Sequence, residues 1–229
     1  MGEALSDHAN EYLRLVLRRE RGGALAYLTN LVDSKNLSLL QTFHILASAQ
    51  AEVGSLWEKG AASIADEHFA TEVASEAIEL FSNKFRKYYR EKIGTALIAD
   101  FVEGEYHVIG LKMFAELLRF NGWDIELHDS PLSITSILKH IEKSGKKFDL
   151  ICCSVTMEFN LKELKTILKI LRTNINTKNS LILVGSRLFT SKRVRDLMTD
   201  EETSKPLADF LAKNFDEGIE FVRTAKRAA

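Results

Sequence analysis

The residues best suited to chemistry lie in the stretch 105–110, which reads Glu-Tyr-His-Val-Ile-Gly. This stretch follows a strand-like run at 95–101 and precedes an amphipathic helical run, so His107 falls on a loop at the carboxyl end of a predicted strand. Open α/β sheets bind their ligands there. His107 can offer one ring nitrogen to a metal while Glu105 holds the proton on the other nitrogen. Gly110 leaves room for a ligand close to the backbone.

A second group of functional side chains lies earlier in the chain, where Trp57 is followed, after nine residues, by Glu67 and His68. Trp57 closes one predicted helix and the Glu-His pair opens the next, so the three can converge across a turn at Gly60. Each side chain also has an ordinary structural explanation: bundle core for Trp57, a first-turn residue favoured by the helix dipole for Glu67, and a solvated imidazole for His68. His107 likewise has an ordinary explanation, as a solvated histidine on a loop.

Several common sites are absent from the sequence. It has no G-x-G-x-x-G after a strand and no P-loop, and it has no G-x-S-x-G, C-x-x-C or H-E-x-x-H. The third predicted strand ends in Ser154 rather than in the aspartate of a phosphoacceptor domain. We therefore predict no catalytic residues, and we assign no role to the histidines His8, His44, His128 and His140.

Composition describes an ordinary globular chain of 229 residues with 45% hydrophobic and 28% charged residues. The formal net charge of -1 gives no electrostatic case for nucleic acid or an anionic membrane surface. No run approaches a membrane span and no signal peptide opens the sequence, so the expected location is cytoplasmic. Cys152 and Cys153 are adjacent in an apolar run, which predicts buried thiols on opposite faces of a strand.

Helical periodicity dominates residues 1–92. Apolar positions at helical spacing predict four helices with short connections. Gly22 and Gly23 are expected to end the first helix. This pattern predicts a four-helix bundle domain over 1–92. The four predicted helices cover 6–19, 24–32, 37–57 and 63–92.

From residue 93 onward, strand-like and helical runs alternate. Such alternation indicates a parallel sheet with crossover helices. We therefore predict a five-stranded parallel, doubly wound domain of the flavodoxin-like type over 93–229. The predicted strands cover 95–101, 123–128, 150–154, 181–184 and 208–212, and the predicted helices cover 110–120, 133–143, 161–171, 191–198 and 215–227.

Taken together, these motifs resemble the cobalamin-binding regulators and photoreceptors, which join a four-helix cap to a Rossmann-like cobalamin-binding domain. In that family, a tryptophan followed after nine residues by Glu-His is a hallmark of the cap, and it is matched here by Trp57, Glu67 and His68. The resemblance covers nearly the whole chain, from about residue 6 to residue 227.

The family's binding-domain hallmark, Asp/Glu-x-His-x-x-Gly, is matched by Glu105, His107 and Gly110. Its later serine-containing and Gly-Gly elements correspond to 154–156 and to Gly185. Ser186 stands where the family has its second glycine, which departs from the pattern and crowds the expected pocket for the cofactor's tail.

The resemblance implies a cobalamin whose own base is displaced by His107 as the lower axial cobalt ligand, with Glu105 as that histidine's partner. The nucleotide tail would run past Gly110 and past Ser154, Thr156 and Gly185 of the later elements. On the other side of the corrin, the resemblance implies contacts with Trp57, Glu67 and His68. Adenosylcobalamin is the implied form of the cofactor, while methylcobalamin and hydroxocobalamin stay open.

The function implied is a light-responsive sensor that acts through a protein partner such as a transcription regulator, or through its own homo-oligomeric state. We expect no membrane contact and no direct DNA-binding domain, since the first helix begins within the first ten residues. Three alternatives stay open: a corrinoid methyl carrier of a methyltransferase system, a haem sensor with His107 on iron, and a scaffold that binds nothing. A carrier must expose its cobalt, so the lid of Trp57, Glu67 and His68 favours the sensor.

Overall fold

The computed structural model describes residues 3–102, 107–130 and 132–225. The chain divides into two compact units, Met1–Tyr88 and Tyr89–Ala229. The sequence pattern predicts the domain boundary at residue 92. Within the described ranges, no helix is both long and apolar enough to cross a membrane.

The first unit is helical, as the sequence predicts. Its four helices pack around a core of large side chains, and the first helix contacts each of the other three. The helices are α1 (Glu3–Leu17), α2 (Arg21–Lys35), α3 (Leu39–Glu58) and α4 (Ile64–Phe85). The fully buried side chains include Tyr12, Leu28, Phe43, Leu46 and Phe81.

All of the helix limits in this unit shift from the prediction, most of all at the end of α4, and the junction of α1 and α2 also differs. α4 ends at Phe85 and is followed by a 3-10 turn, Arg86–Tyr88, instead of continuing to residue 92. Gly22 and Gly23 lie inside the first turn of α2, where backbone N–H groups have no helical acceptor in any case. The break between α1 and α2 falls instead at Arg19, whose φ of 63° takes the backbone out of the helix.

The start of α4 is fixed by a capping box. The N–H of Asp66 donates to Oγ of Ser63 at 3.2 Å, and the N–H of Ser63 donates to Oδ2 of Asp66 at 2.9 Å. The guanidinium of Arg19 binds the other oxygen of Asp66 at 2.7 Å and lies 4.8 Å from the ring centre of Phe69. These hydrogen bonds lower the pKa of Asp66 and hold the turn from which Glu67 and His68 project.

The second unit is a parallel sheet in the order β2-β1-β3-β4-β5, which confirms the predicted flavodoxin-like doubly wound domain. The fifth strand is shorter than predicted. The strands are β1 (Gly94–Ala99), β2 (Trp123–His128), β3 (Leu150–Ser154), β4 (Leu181–Gly185) and β5 (Phe210–Ala212). The helices are α5 (Ile109–Phe120), α6 (Ile134–Ser144), α7 (Leu161–Thr173), α8 (Lys192–Leu197) and α9 (Phe215–Ala225).

One face of the sheet packs against α6 and α7. Alternate residues of β1, β3 and β4, among them Leu97 and Ile151, join Ile137 of α6 in one buried cluster. Cys153 belongs to this cluster and Cys152 points to the other face, and both are buried free thiols as predicted. Burial raises the pKa of Cys153 to about 12, so neither cysteine is a candidate nucleophile or metal ligand.

Gly122 joins α5 to β2 under a tight steric restriction. Its φ is +93°, and a Cβ at this position would lie 2.2 Å from the carbonyl oxygen of Glu91. The N–H of Ile93 donates to the Gly122 carbonyl at 2.8 Å, so the entry into β1 depends on the same close approach.

We expect Gly122→Ala to lower the free energy of unfolding by about 3 kcal/mol, since it adds a backbone clash to the cost of a left-handed conformation. Gly145→Ala is the matched control, because Gly145 has φ +65° and an added Cβ there would meet no heavy atom within 4 Å. The Gly145→Ala variant should lose only about 1 kcal/mol of its free energy of unfolding. Urea unfolding measures both, and equal losses would contradict the steric argument.

Candidate functional site

The predicted ligand-binding residues of the sheet unit gather at the carboxyl ends of the strands. β1 pairs with β2 on one side and with β3 on the other, so the strand order reverses beside β1. His107 follows β1, and Ser154, the last residue of β3, lies opposite Gly185, the last residue of β4. Thr156 follows β3 by two residues. The four therefore lie along the edge where doubly wound sheets bind ligands.

His107 is exposed and lies just before α5, which begins at Ile109. The helix is anchored by buried side chains such as Leu111, and the N–H of Lys112 donates to the carbonyl of Val108 at 2.9 Å. An imidazole beside a fixed helix start is a well-positioned nitrogen donor. Glu105, its predicted partner, lies outside the described residues.

The glycines of this edge leave open surface. A Cβ on Gly110 would meet no heavy atom within 4 Å, and one on Gly185 would only touch the carbonyl oxygen of Cys153 at 4.0 Å. The packing of the described residues does not itself require either glycine. Both positions are therefore compatible with a ligand that lies against the backbone.

Asp100 is a residue whose role was not predicted from the sequence. It directly follows β1 and is 1% exposed, and its Oδ1 accepts the N–H of Val102 at 3.3 Å. Its carbonyl accepts the N–H of Leu132 at 3.2 Å. Asp100 therefore fixes the chain as it leaves β1 towards the His107 loop, and an acidic residue immediately after an apolar strand was the available signal.

Ser186 fits the backbone at the position where the resembling family has glycine. Its φ of -167° is extended, a conformation open to any residue. Its N–H donates to the carbonyl of Ala212 at 2.9 Å, and its Oγ accepts the N–H of Leu188 at 3.1 Å. The side chain is thus engaged in starting the following turn, and the backbone here does not need a second glycine.

In the helical unit, Trp57, Glu67 and His68 lie at the same end of the α3 and α4 pair. Trp57 lies in the last turn of α3 and is 47% exposed, which excludes the bundle-core explanation for it. Gly60, with φ +70°, makes the turn and donates its N–H to the carbonyl of Trp57 at 2.9 Å. Ile64, at the start of α4, is 61% exposed, so this end presents apolar surface.

The polar pair beside this surface is oriented by its own hydrogen bonds. The hydroxyl of Thr71 donates to Oε1 of Glu67 at 2.9 Å, and Oε2 of Glu67 lies 3.2 Å from Nδ1 of His68. The Glu67 and His68 side chains are 37% and 71% exposed. A ligand can therefore reach both groups without unfolding the helix.

A cleft of about 630 Å³ lies at the opposite edge of the sheet, at the amino ends of β2, β3 and β4. Its lining includes Trp123, Phe148 and Leu181, and none of the predicted site residues is among the described residues that form it. Because ligands of doubly wound sheets bind at the carboxyl ends, we do not assign this cleft to the site.

The fold is shared with a solved structure of low sequence identity. The monomethylamine corrinoid protein of Methanosarcina barkeri matches with a TM-score of 0.74 and 18% identity, over 94% of this chain and 96% of that one. A cobalamin-binding protein of Desulfitobacterium hafniense gives a TM-score of 0.47 at 15% identity, over 94% and 97% of the two chains, a score too low to support an argument. Comparison with curated protein sequences gives no significant match.

Two family models match the sequence itself, and both are described as B12 binding domains. One matches residues 8–81, within the helical unit, and the other matches residues 95–199, within the sheet unit. The open glycines and the exposed imidazole at the carboxyl edge suit a corrinoid, whose cobalt accepts a nitrogen donor. The chain therefore belongs to the B12-binding-domain family, with both of its domains in one polypeptide, and it is a corrinoid-binding protein.

Proposed function

We propose that the chain is a cobalamin-binding sensor that responds to light through adenosylcobalamin. The observation that carries this proposal is the exposed surface at the end of α3 and α4, where Trp57 and Ile64 present apolar area beside Glu67 and His68. An aromatic surface next to hydrogen-bonding groups is suited to cover a nucleoside. A methyl carrier has to expose its cobalt to partner enzymes, and such a lid would obstruct it.

In the sheet unit, we assign the lower axial cobalt position to His107, because an exposed imidazole stands at the edge where ligands bind. Glu105 is proposed to accept the proton of the other ring nitrogen and so to fix the tautomer. The remaining residues of this edge would hold the nucleotide tail by backbone contact and hydroxyl hydrogen bonds. They are Gly110, Ser154, Thr156 and Gly185.

Bound adenosylcobalamin supplies a cobalt–carbon bond that light breaks. In the dark, Trp57 would pack against the upper ligand while Glu67 and His68 hydrogen-bond to it. After illumination the indole would lose this contact and would have to cover its apolar face elsewhere. A protein partner, such as a transcription regulator, or a second copy of the chain would then distinguish the two states.

The second candidate is a corrinoid methyl carrier of a methyltransferase system, because the fold is shared with the monomethylamine corrinoid protein. Haem binding through His107 is a third, since an imidazole also ligates iron. All three use the same edge of the sheet, so the choice of cofactor and the response to light separate them.

The experiment that tests the proposal is the visible absorption spectrum of the full chain after incubation with adenosylcobalamin in the dark and desalting. The sensor should retain a chromophore with its base displaced, and brief green light should change both the spectrum and the elution volume or partner binding. A protein that emerges colourless yet retains methylcobalamin would support the carrier, and one that retains only haem would support the haem sensor. Either result would overturn the proposal.

His107→Ala should weaken hydroxocobalamin binding at least tenfold, or leave the cofactor's own base on cobalt, because the lower nitrogen donor is lost. The absorption spectrum and a binding titration measure this. His8→Ala is the control, since His8 lies in α1 and hydrogen-bonds Tyr27 at 2.8 Å. If His107→Ala kept the wild-type base-off spectrum and affinity, the assignment of His107 would be wrong.

Trp57→Ala should leave hydroxocobalamin binding unchanged and weaken adenosylcobalamin binding about tenfold, or about 1.4 kcal/mol, because the indole contacts only the larger upper ligand. Since Trp57 is 47% exposed, its loss should barely shift the urea midpoint. Leu80→Ala is the matched control, as Leu80 of α4 is 41% exposed but lies outside the proposed lid. Equal selectivity in the three proteins would remove the lid argument.

A further inference from the structure

A second cluster of potential metal ligands lies on β2 and α6 of the sheet unit. Glu126 and His128 are on β2, the edge strand, and they lie opposite Leu97 and Ala99 of β1. Leu97 and Ala99 face α6, so Glu126 and His128 also face it. His140 of α6 meets them from that side.

The three side chains converge closely enough to share one ion. Oε1 of Glu126 lies 3.2 Å from Nε2 of His128 and 2.5 Å from Nε2 of His140. All three donor atoms lie within 4.8 Å of one another. Ligands bound at about 2.1 Å in a tetrahedral site are about 3.4 Å apart, so small side-chain rotations would seat an ion.

The carboxylate of Glu126 is oriented by a lysine outside the cluster. Its other oxygen, Oε2, accepts a hydrogen bond from Nζ of Lys146 at 2.5 Å, which leaves Oε1 directed at the two imidazoles. Lys146 therefore orients the carboxylate from outside the cluster.

We propose that Glu126, His128 and His140 form a binding site for a divalent transition-metal ion, for which Zn²⁺ is the best match. Two imidazoles and one carboxylate suit Zn²⁺ better than Mg²⁺ or Ca²⁺, which prefer oxygen ligands. Three protein ligands leave one position for water or another ligand, and the 44% exposure of the His140 side chain gives access. The site does not depend on the proposed corrinoid function.

Ion binding here would join the edge strand to the helix above it. β2 has a hydrogen-bonded neighbour on one side only among the described strands, and α6 follows it in the chain. A ligand that binds only the folded state stabilises it in proportion to the logarithm of its concentration over its Kd. The bound ion should therefore stabilise the sheet unit against unfolding.

Calorimetric titration of Zn²⁺ into the full-length chain, prepared without cobalamin, tests the site. We expect about one Zn²⁺ per chain, with affinity at least tenfold weaker in each of Glu126→Gln, His128→Ala and His140→Ala. Glu142→Gln and His8→Ala are matched controls, since Glu142 is an exposed carboxylate on the same helix and His8 is a histidine of α1. Both should bind as the wild type does. Binding retained in the three site variants would overturn the proposal.

Urea unfolding with and without Zn²⁺ gives a second readout and guards against a variant that fails to fold. Zn²⁺ should raise the urea midpoint of the wild type and of Glu142→Gln. Zn²⁺ should leave the urea midpoint of Glu126→Gln unchanged, although this variant preserves the side-chain shape. If Zn²⁺ raised the midpoint of Glu126→Gln equally, or did not raise that of the wild type, the three side chains would form only a hydrogen-bonded cluster.

Discussion

Parallel pairing of β1 with β2 on one side and β3 on the other is the constraint on which the rest of the sheet unit depends. Because all five strands are parallel, their carboxyl ends meet at one edge. That edge receives the His107 loop from β1 together with Ser154 and Gly185. The same pairing fixes the face of β2, so one register positions both the carboxyl edge of the sheet and the cluster of Glu126, His128 and His140.

The helical unit meets a different requirement, since it has to present apolar surface without losing stability. The buried side chains of its four helices supply the core, which frees the end of α3 and α4 to expose Trp57 and Ile64. The capping box of Ser63 and Asp66, with Arg19 bound to that carboxylate, holds this end in place. The exposed residues therefore stand on a fixed scaffold, as a ligand-binding surface requires.

Much of the fold could be predicted from the sequence because its signals are local. Apolar runs of period two and helical stripes predicted the four-helix unit and the five parallel strands, and the adjacent cysteines predicted two buried thiols. The helix limits near Arg19 and Phe85 were missed. An arginine with positive φ leaves no local sequence pattern. The segment after Phe85 leaves none either, because its backbone bonds to a distant part of the chain, as the N–H of Ile93 does to Gly122.

The candidate sites show the same division. His107 and the Trp57, Glu67 and His68 set could be proposed because each forms a compact motif. The partnership of Glu126 with His140 spans 14 positions and depends on the register of β2 and on the rotation of α6. Neither the register of β2 nor the rotation of α6 can be read from one sequence, so the sequence analysis assigns no role to His128 and His140.

The proposed cofactor site requires that a histidine of the chain replace the cofactor's own base on cobalt. The electron paramagnetic resonance spectrum of the chain loaded with cob(II)alamin, recorded with natural and with ¹⁵N-labelled histidine, tests this requirement without any mutation. We expect the three-line nitrogen splitting of the cobalt signal to become two-line when the histidine is labelled. A splitting that stays three-line would mean that the cofactor's base remains on cobalt and would contradict the assignment of a histidine as the lower ligand.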